Sequence, residues 1–189
     1  MAGLDHFGLL APIYEKFIPL RQPHVIISML ELPVEGCILD AGGGTGRVAQ
    51  ALAGHAAHVV VADLSLKMLQ RAAAKGGLDS VCSYSEALPF PDESFERVIM
   101  VDALHHVHDQ PHTALEMWRV VKPGGLILIE EPDIHTLAVK AVALLEKVAL
   151  MRSHFLSPEE IAALFSANGA EIGFQRDGFN AWLTIRKTP

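Results

Sequence analysis

A chain of 189 residues is enough for one α/β domain with a proper core, and 50% hydrophobic against 20% charged residues is a globular balance rather than a disordered one. The formal net charge of −7, a pI near 5.8 and the lack of a Lys/Arg run argue against nucleic acid as a substrate, because several phosphates would have to be neutralised. The N-terminus lacks a basic segment leading into an apolar one. Cys37 and Cys82 sit in apolar runs that read as buried strand thiols, and the most apolar helical stretch, 134–151, is interrupted by Lys140, Glu146 and Lys147. The expectation is a cytoplasmic protein without a membrane span, monomeric or homodimeric.

The first thirty or so residues mix Phe7, Leu9, Leu10, Tyr14, Phe17 and Ile18 with Pro12 and Pro19, and read as helical pieces over the sheet edge or the site. Strand-like runs then alternate with helical periodicity: a strand at 37–41 and a helix at 46–52, 58–62 and 66–75, a strand at 81–84, 97–101 and 111–121, then a strand at 126–130. This alternation predicts a doubly wound, mostly parallel sheet with helices on both faces. Ser65 is placed as the N-cap of the second helix, and Gly76 and Gly77 as its close. Leu137, Ala141, Leu144, Val148 and Met151 form a stripe at helical spacing, which either packs on the sheet or walls a substrate pocket. Ser157-Pro158-Glu159-Glu160 is a capping box that starts a helix ending near Asn168-Gly169. Runs at 172–176 and 179–185 flank Asp177-Gly178 and predict a closing antiparallel hairpin, for a sheet of seven strands.

The first strand ends in Ile38-Leu39-Asp40-Ala41-Gly42-Gly43-Gly44-Thr45-Gly46. Glycines at a strand-to-helix turn let a ligand approach the backbone closely. The spacing G-x-G-x-G is tighter than the dinucleotide pattern, and Asp40 would repel a pyrophosphate but could pair with an ammonium. These features speak against a nicotinamide oxidoreductase. A ligand with an amino-acid ammonium, an adenosyl ribose and no phosphate is S-adenosylmethionine. Asp63 ends the second strand roughly twenty residues beyond Gly42, where a carboxylate either holds a ribose diol or caps the next helix.

Asp40 to Gly46, Asp63-Leu64-Ser65 with Met68-Leu69, Leu88-Pro89-Phe90 with Ser94-Phe95, Leu104-His105-His106-Val107, and Arg119-Val120-Val121-Lys122-Pro123-Gly124-Gly125 resemble, in order, the motifs of class I S-adenosylmethionine-dependent methyltransferases. They look most like the branch of type 11 methyltransferase domains that includes the quinone C-methyltransferases. The likeness covers about residues 36–131. It implies one Rossmann-like domain over 1–189: a helical lid at 1–32, a cofactor-binding core at 33–132, a helical segment near the substrate at 133–156, and a C-terminal helix and hairpin at 157–189. It implies cofactor contacts from Asp40, Ala41, Gly42 and Gly44, from Asp63, Leu64 and Met68, and from Ser85, Glu86 and Asp102. Relatives often carry an acidic residue at the position of Tyr84 that reads the adenine amino group. Its absence here passes that contact to Ser85 or a backbone group.

Methyl transfer from a sulfonium needs alignment and exclusion of water more than a catalytic triad. Asp102, His105 and His106 follow the fourth strand and are expected on the methyl side, as a base or as pocket wall. Tyr14 is the lid residue expected to meet the acceptor. His105, His106, His108 and His112 do not share a helical face, so no metal site is expected. The resulting expectation is methyl transfer to a small molecule; the alternative is a methyltransferase-like protein that binds the cofactor or a protein partner without catalysis.

Overall fold

The computed structural model describes residues 23–136, 139–140, 153–166 and 169–189. Side-chain alternation along β1 (Cys37–Ala41) sets the layering: Leu39 and Ala41 enter one apolar core while Ile38 enters the other. On the face of Ile38 lie α1 (Pro23–Met29), α2 (Arg47–Leu52) and α3 (Leu66–Ala74), which contribute Ile26, Leu52, Leu69 and Ala72. On the other face α4 (Gln110–Val120) and α5 (Pro158–Ser166) bury Met117 and Phe165.

The remaining strands are β2 (His58–Asp63), β3 (Asp79–Cys82), β4 (Phe95–Val101), β5 (Val121–Pro132), β6 (Glu171–Asp177) and β7 (Asn180–Arg186). They form one seven-stranded sheet in the order β3-β2-β1-β4-β5-β7-β6. Pairings from β3 through β5 are parallel, and β7 runs antiparallel to both β5 and β6, as the sequence predicts. Strand order reverses between β1 and β4, which leaves a crevice at their carboxyl ends.

Several local expectations shift. β3 begins two residues early, because Asp79 and Ser80 pair with Val60 and Val61 on an exposed edge where polar side chains give no hydrophobic signal. Cys82 on that edge is exposed, not buried, while Cys37 is partly buried. β5 takes in the Lys122–Gly125 turn, and the extra length is absorbed by a register shift between Phe95↔Val121 and Arg97↔Leu126. In the hairpin, Asp177 pairs with Asn180, so the two-residue turn is Gly178-Phe179, with Gly178 at φ 63 in the position that a II′ turn reserves for glycine. Ser65 stands at the N-cap of α3, but its side chain makes no cap hydrogen bond; its N–H donates to Asp63 Oδ1 at 2.7 Å.

From the N-terminal segment expected to act as a lid, Ile26 and Leu30 are fully buried against the sheet. Tyr14 and the rest of that segment up to residue 22, and the stripe from Leu137 to Met151, lie outside the described residues. Among the described residues no helix is long and apolar enough to cross a membrane.

The capping box forms in full: Ser157 Oγ accepts from Glu160 N–H at 3.2 Å, and Glu160 Oε2 accepts from Ser157 N–H at 2.7 Å. Ser157→Ala should therefore cost about 1 kcal/mol of unfolding free energy in urea titration. A change within error would mean that α5 is held by the burial of Ile161 and Phe165 alone.

Candidate active site

Two irregular turns, after β1 and after β4, face each other across the crevice. In the first, Gly42 and Gly44 adopt φ 69 and 54, and a Cβ on Gly42 would stand 2.9 Å from that of Ala103 in the second turn. The first turn is held from β2: Asp63 Oδ2 accepts from Gly44 N–H at 2.9 Å while Oδ1 accepts from Ser65 N–H. The cavity between the turns has a volume of about 280 Å³.

Asp40, Gly42, Gly44, Asp63, Leu64, Met68, Ser85, Glu86, Asp102 and His106 all line this cavity. Ala41 does not, since its side chain belongs to the opposite core. His105 is turned away as well. Its Nδ1 lies 2.6 Å from Glu131 Oε2, its ring stacks on Phe155 with centroids 4.4 Å apart, and it is buried.

Glu131 is the site residue that sequence reasoning missed. Besides His105, it accepts from Ala103 N–H at 3.0 Å and Leu104 N–H at 2.6 Å through Oε1, so one buried carboxylate ties down the whole turn after β4. That turn carries Asp102 at φ 56, a left-handed conformation that aspartate tolerates better than most residues. The only available signal was a second acidic residue closing the apolar run Leu126–Glu130. Gln110 adds to the brace by donating to the carbonyls of Leu104 and His154, and Glu86 Oε1 receives the N–H groups of His108 and Asp109. Arg47 also lines the cavity and was not anticipated.

Burial sets the electrostatics. Asp40 is almost inaccessible, and desolvation pushes its carboxyl from an ordinary 3.8 to about 7, against the lowering effects of Ala49 N–H at 3.2 Å and of Arg47. Glu130, behind the turn, is likewise raised by burial to about 7. His106 is driven down to about 3 by burial and then by His105, so its ring is neutral at physiological pH. Its Nδ1 lies 3.2 Å from Ser153 Oγ. Among the described residues no group of three or more His, Cys, Asp or Glu gathers as a metal site.

Residues 39–129 match the family described as "Methyltransferase domain". The chain is 34% identical over 115 residues to the ubiquinone/menaquinone biosynthesis C-methyltransferase UbiE of Marinomonas sp. (strain MWYL1), a match that covers 56% of this chain. Residues 39–129 thus carry a methyltransferase domain that resembles those of the class I S-adenosylmethionine-dependent methyltransferases. That match spans only 46% of the Marinomonas protein, under half its length. Among solved folds, a chain of the Haloferax volcanii complex between the Trm112 methyltransferase activator and a methyltransferase superposes with a TM-score of 0.85 at 19% identity, over 100% of both chains. The [4+2]-cyclase SpnF superposes with a TM-score of 0.80 at 17% identity, over 96% of this chain and 93% of its own. At these identities the two likenesses concern the fold.

The methyltransferase cavity fits the family's cofactor on its own geometry. A buried carboxylate at Asp40 suits an ammonium, the Asp63 carboxylate at the tip of β2 suits a vicinal diol, and Leu64, 56% exposed beside buried Met68, offers an apolar face for a purine.

Two predictions follow from this methyltransferase site. The folded-state pKa of Asp40 is raised, so its contribution to stability is largest below about pH 4 and is lost as pH rises toward about 7. Asp40→Asn should flatten that part of the profile, read as the difference between parent and variant melting temperatures from pH 4 to 8; parallel profiles would show that Asp40 is not held in this state. Glu131→Ala leaves the buried N–H groups of Ala103 and Leu104 without their acceptor and removes the carboxylate beside His105 Nδ1, and should cost about 3–5 kcal/mol in denaturant unfolding. A loss below 1 kcal/mol would show that water replaces the carboxylate.

Proposed function

We propose that this chain transfers a methyl group from S-adenosylmethionine to a small-molecule acceptor. The observation that carries the reading is the set of groups that one cavity gathers: a buried carboxylate at Asp40, a backbone-anchored carboxylate at Asp63, and the exposed apolar side chain of Leu64. An ammonium, a ribose diol and a purine each find a matching group among them. When bound, the cofactor supplies a methyl group on a positively charged sulfur, ready for in-line displacement.

The protein's own part is positioning. Asp40 ionises as an ammonium arrives, because the added positive charge offsets its desolvation. Asp63 keeps its anchor to Gly44 and uses its remaining lone pairs on the diol. Asp102, His106 and Val107 line the cavity on the acceptor side, where a neutral imidazole and an apolar side chain orient a neutral or anionic acceptor and exclude water. Tyr14 is proposed to close this side. The likeness to a quinone C-methyltransferase supports an electron-rich ring as the acceptor class; a cytoplasmic location and a monomer or homodimer are part of the same proposal.

A second reading, cofactor binding without methyl transfer, is favoured by Tyr84 at the usual position of an adenine-reading acid. A fold shared with a [4+2]-cyclase is compatible with it. Calorimetric titration with S-adenosylmethionine, followed by radiolabelled methyl transfer into a cell extract and its lipid-soluble fraction, separates the two. Asp63→Ala should weaken binding at least about tenfold, since charged hydrogen bonds to a diol are lost. Unchanged binding by a folded Asp63→Ala protein, or none by the parent, would remove the assignment.

A further inference from the structure

The sheet has two edge strands, and they differ. β3 is four residues long and begins with exposed Asp79 and Ser80, whereas β6 is seven residues long, pairs with β7 without a register shift, and among the described residues meets no strand on its other side. Edge strands are commonly guarded by short length, Pro, a bulge or a central Lys. β6 has none of these. Its charges, Glu171, Arg176 and Asp177, stand toward its ends, and the run between them, Ile172-Gly173-Phe174-Gln175, is uncharged, with Phe174 49% exposed.

The hairpin fixes which backbone groups face outward. A two-residue turn closes on a hydrogen-bonded pair, here Asp177 with Asn180, and bonding alternates along the ladder from there. The odd-numbered residues of β6 therefore bond to β7, and Thr184 Oγ1 adds a bond to the Gly173 carbonyl at 3.3 Å. Ile172, Phe174 and Arg176 turn their N–H and C=O groups away from the sheet. An antiparallel second copy presents the same groups, so the strand can pair with itself about a two-fold axis.

We propose that two copies of this chain associate through β6, antiparallel and centred on Gly173. Side-chain opposition selects the register. Centred on Gly173, Ile172 faces Phe174 of the second copy and Glu171 faces its Gln175, each pair occurs twice, and no like charges are opposed. Centred on Phe174, Glu171 would face Asp177 twice. Centred on Gln175, Ile172 would face Gly178 in the turn, and Phe174 would face Arg176, whose guanidinium is already held by Asp133 and Glu159 at 2.7 Å each. A central glycine also suits the place where facing residues that do not bond each other bring the two backbones closest. β6 stands three strands from β4 in the sheet, so the association is independent of what the cavity binds.

Sedimentation velocity of the full chain from about 1 to 200 µM, with amide hydrogen exchange at both ends of that range, tests this. One strand pair makes a small interface, so half-association at a micromolar concentration is expected. The Ile172 and Phe174 amides should exchange about threefold to tenfold more slowly at the high concentration. Phe174→Lys should weaken association at least about tenfold, because it sets a charge against Ile172 of the second copy. Glu171→Gln should leave it within about threefold. A parent that stays monomeric throughout, exchange at Ile172 and Phe174 that ignores concentration, or a dimer untouched by Phe174→Lys would each overturn the proposal. Tightening beyond about tenfold in Glu171→Gln would overturn the Gly173 register, since it is the relief expected where Glu171 faces Asp177. Exchange in the parent decides the matter even where the Phe174→Lys protein fails to fold.

Discussion

The site depends on one kind of interaction, a carboxylate on one strand or loop that captures backbone N–H groups of an irregular turn beside it. Asp63 at the end of β2 holds Gly44 in the turn after β1. Glu131 at the end of β5 holds Ala103 and Leu104 in the turn after β4, together with His105. Glu86 captures the N–H groups that open the turn before α4. Turns that line a cavity cannot satisfy their own backbone by regular pairing, and a buried N–H left alone would cost more than any of these side chains loses by being fixed. The carboxylates resolve that conflict and define the shape of the crevice at the same time.

The clamping carboxylates and Asp40 differ in how many donors reach them. Glu131 is buried yet surrounded by three donors, and Asp63 is anchored at both oxygens. Asp40 accepts from a backbone donor, Ala49 N–H, at 3.2 Å and is almost inaccessible, so burial dominates and its charge is expensive. Two nearby cationic side chains, Arg47 and Lys75, only partly relieve it. The ligand-free site thus stores an electrostatic mismatch at the end of the cavity where a positively charged group would sit, next to a glycine bend too crowded for side chains.

Much of this was legible in the sequence, for definite reasons. The alternation of apolar runs with helical periodicity is strong in buried parallel strands, which is why β1, β2 and β4 fell within a residue or two of expectation, while the Asp177-Gly178 turn signal marked the antiparallel hairpin. Edge strand β3 was displaced because exposed polar residues carry half of it, and β5 was too short because a Lys-Pro-Gly-Gly turn signal overrode its pairing with β4. In the site, Asp40, Gly42, Gly44, Asp63 and Asp102 announce themselves by position at strand ends. Glu131 and Gln110 do not, because their roles rest on contacts with residues 27 and 44 positions away, respectively, and no local pattern encodes such contacts. Ala41 and His105 carried the right motif but the wrong direction: pleating turns Ala41 into the opposite core, and the pull of Glu131 rotates His105 behind the wall.

The contrast between adjacent histidines follows from that rotation. His105 spends its ring on Glu131 and Phe155, and in doing so it brings a second imidazole, His106, to the cavity with centroids only 3.9 Å apart. Loss of hydration, and then the neighbouring ring, hold His106 neutral. A cationic wall beside a positively charged methyl donor would raise the cost of bringing the two partners together. A neutral ring adds no such repulsion and still offers hydrogen bonds to an acceptor. The Glu131–His105 pair therefore shapes the chemistry of the cavity without touching it, by setting which of two neighbouring side chains faces inward and in which charge state.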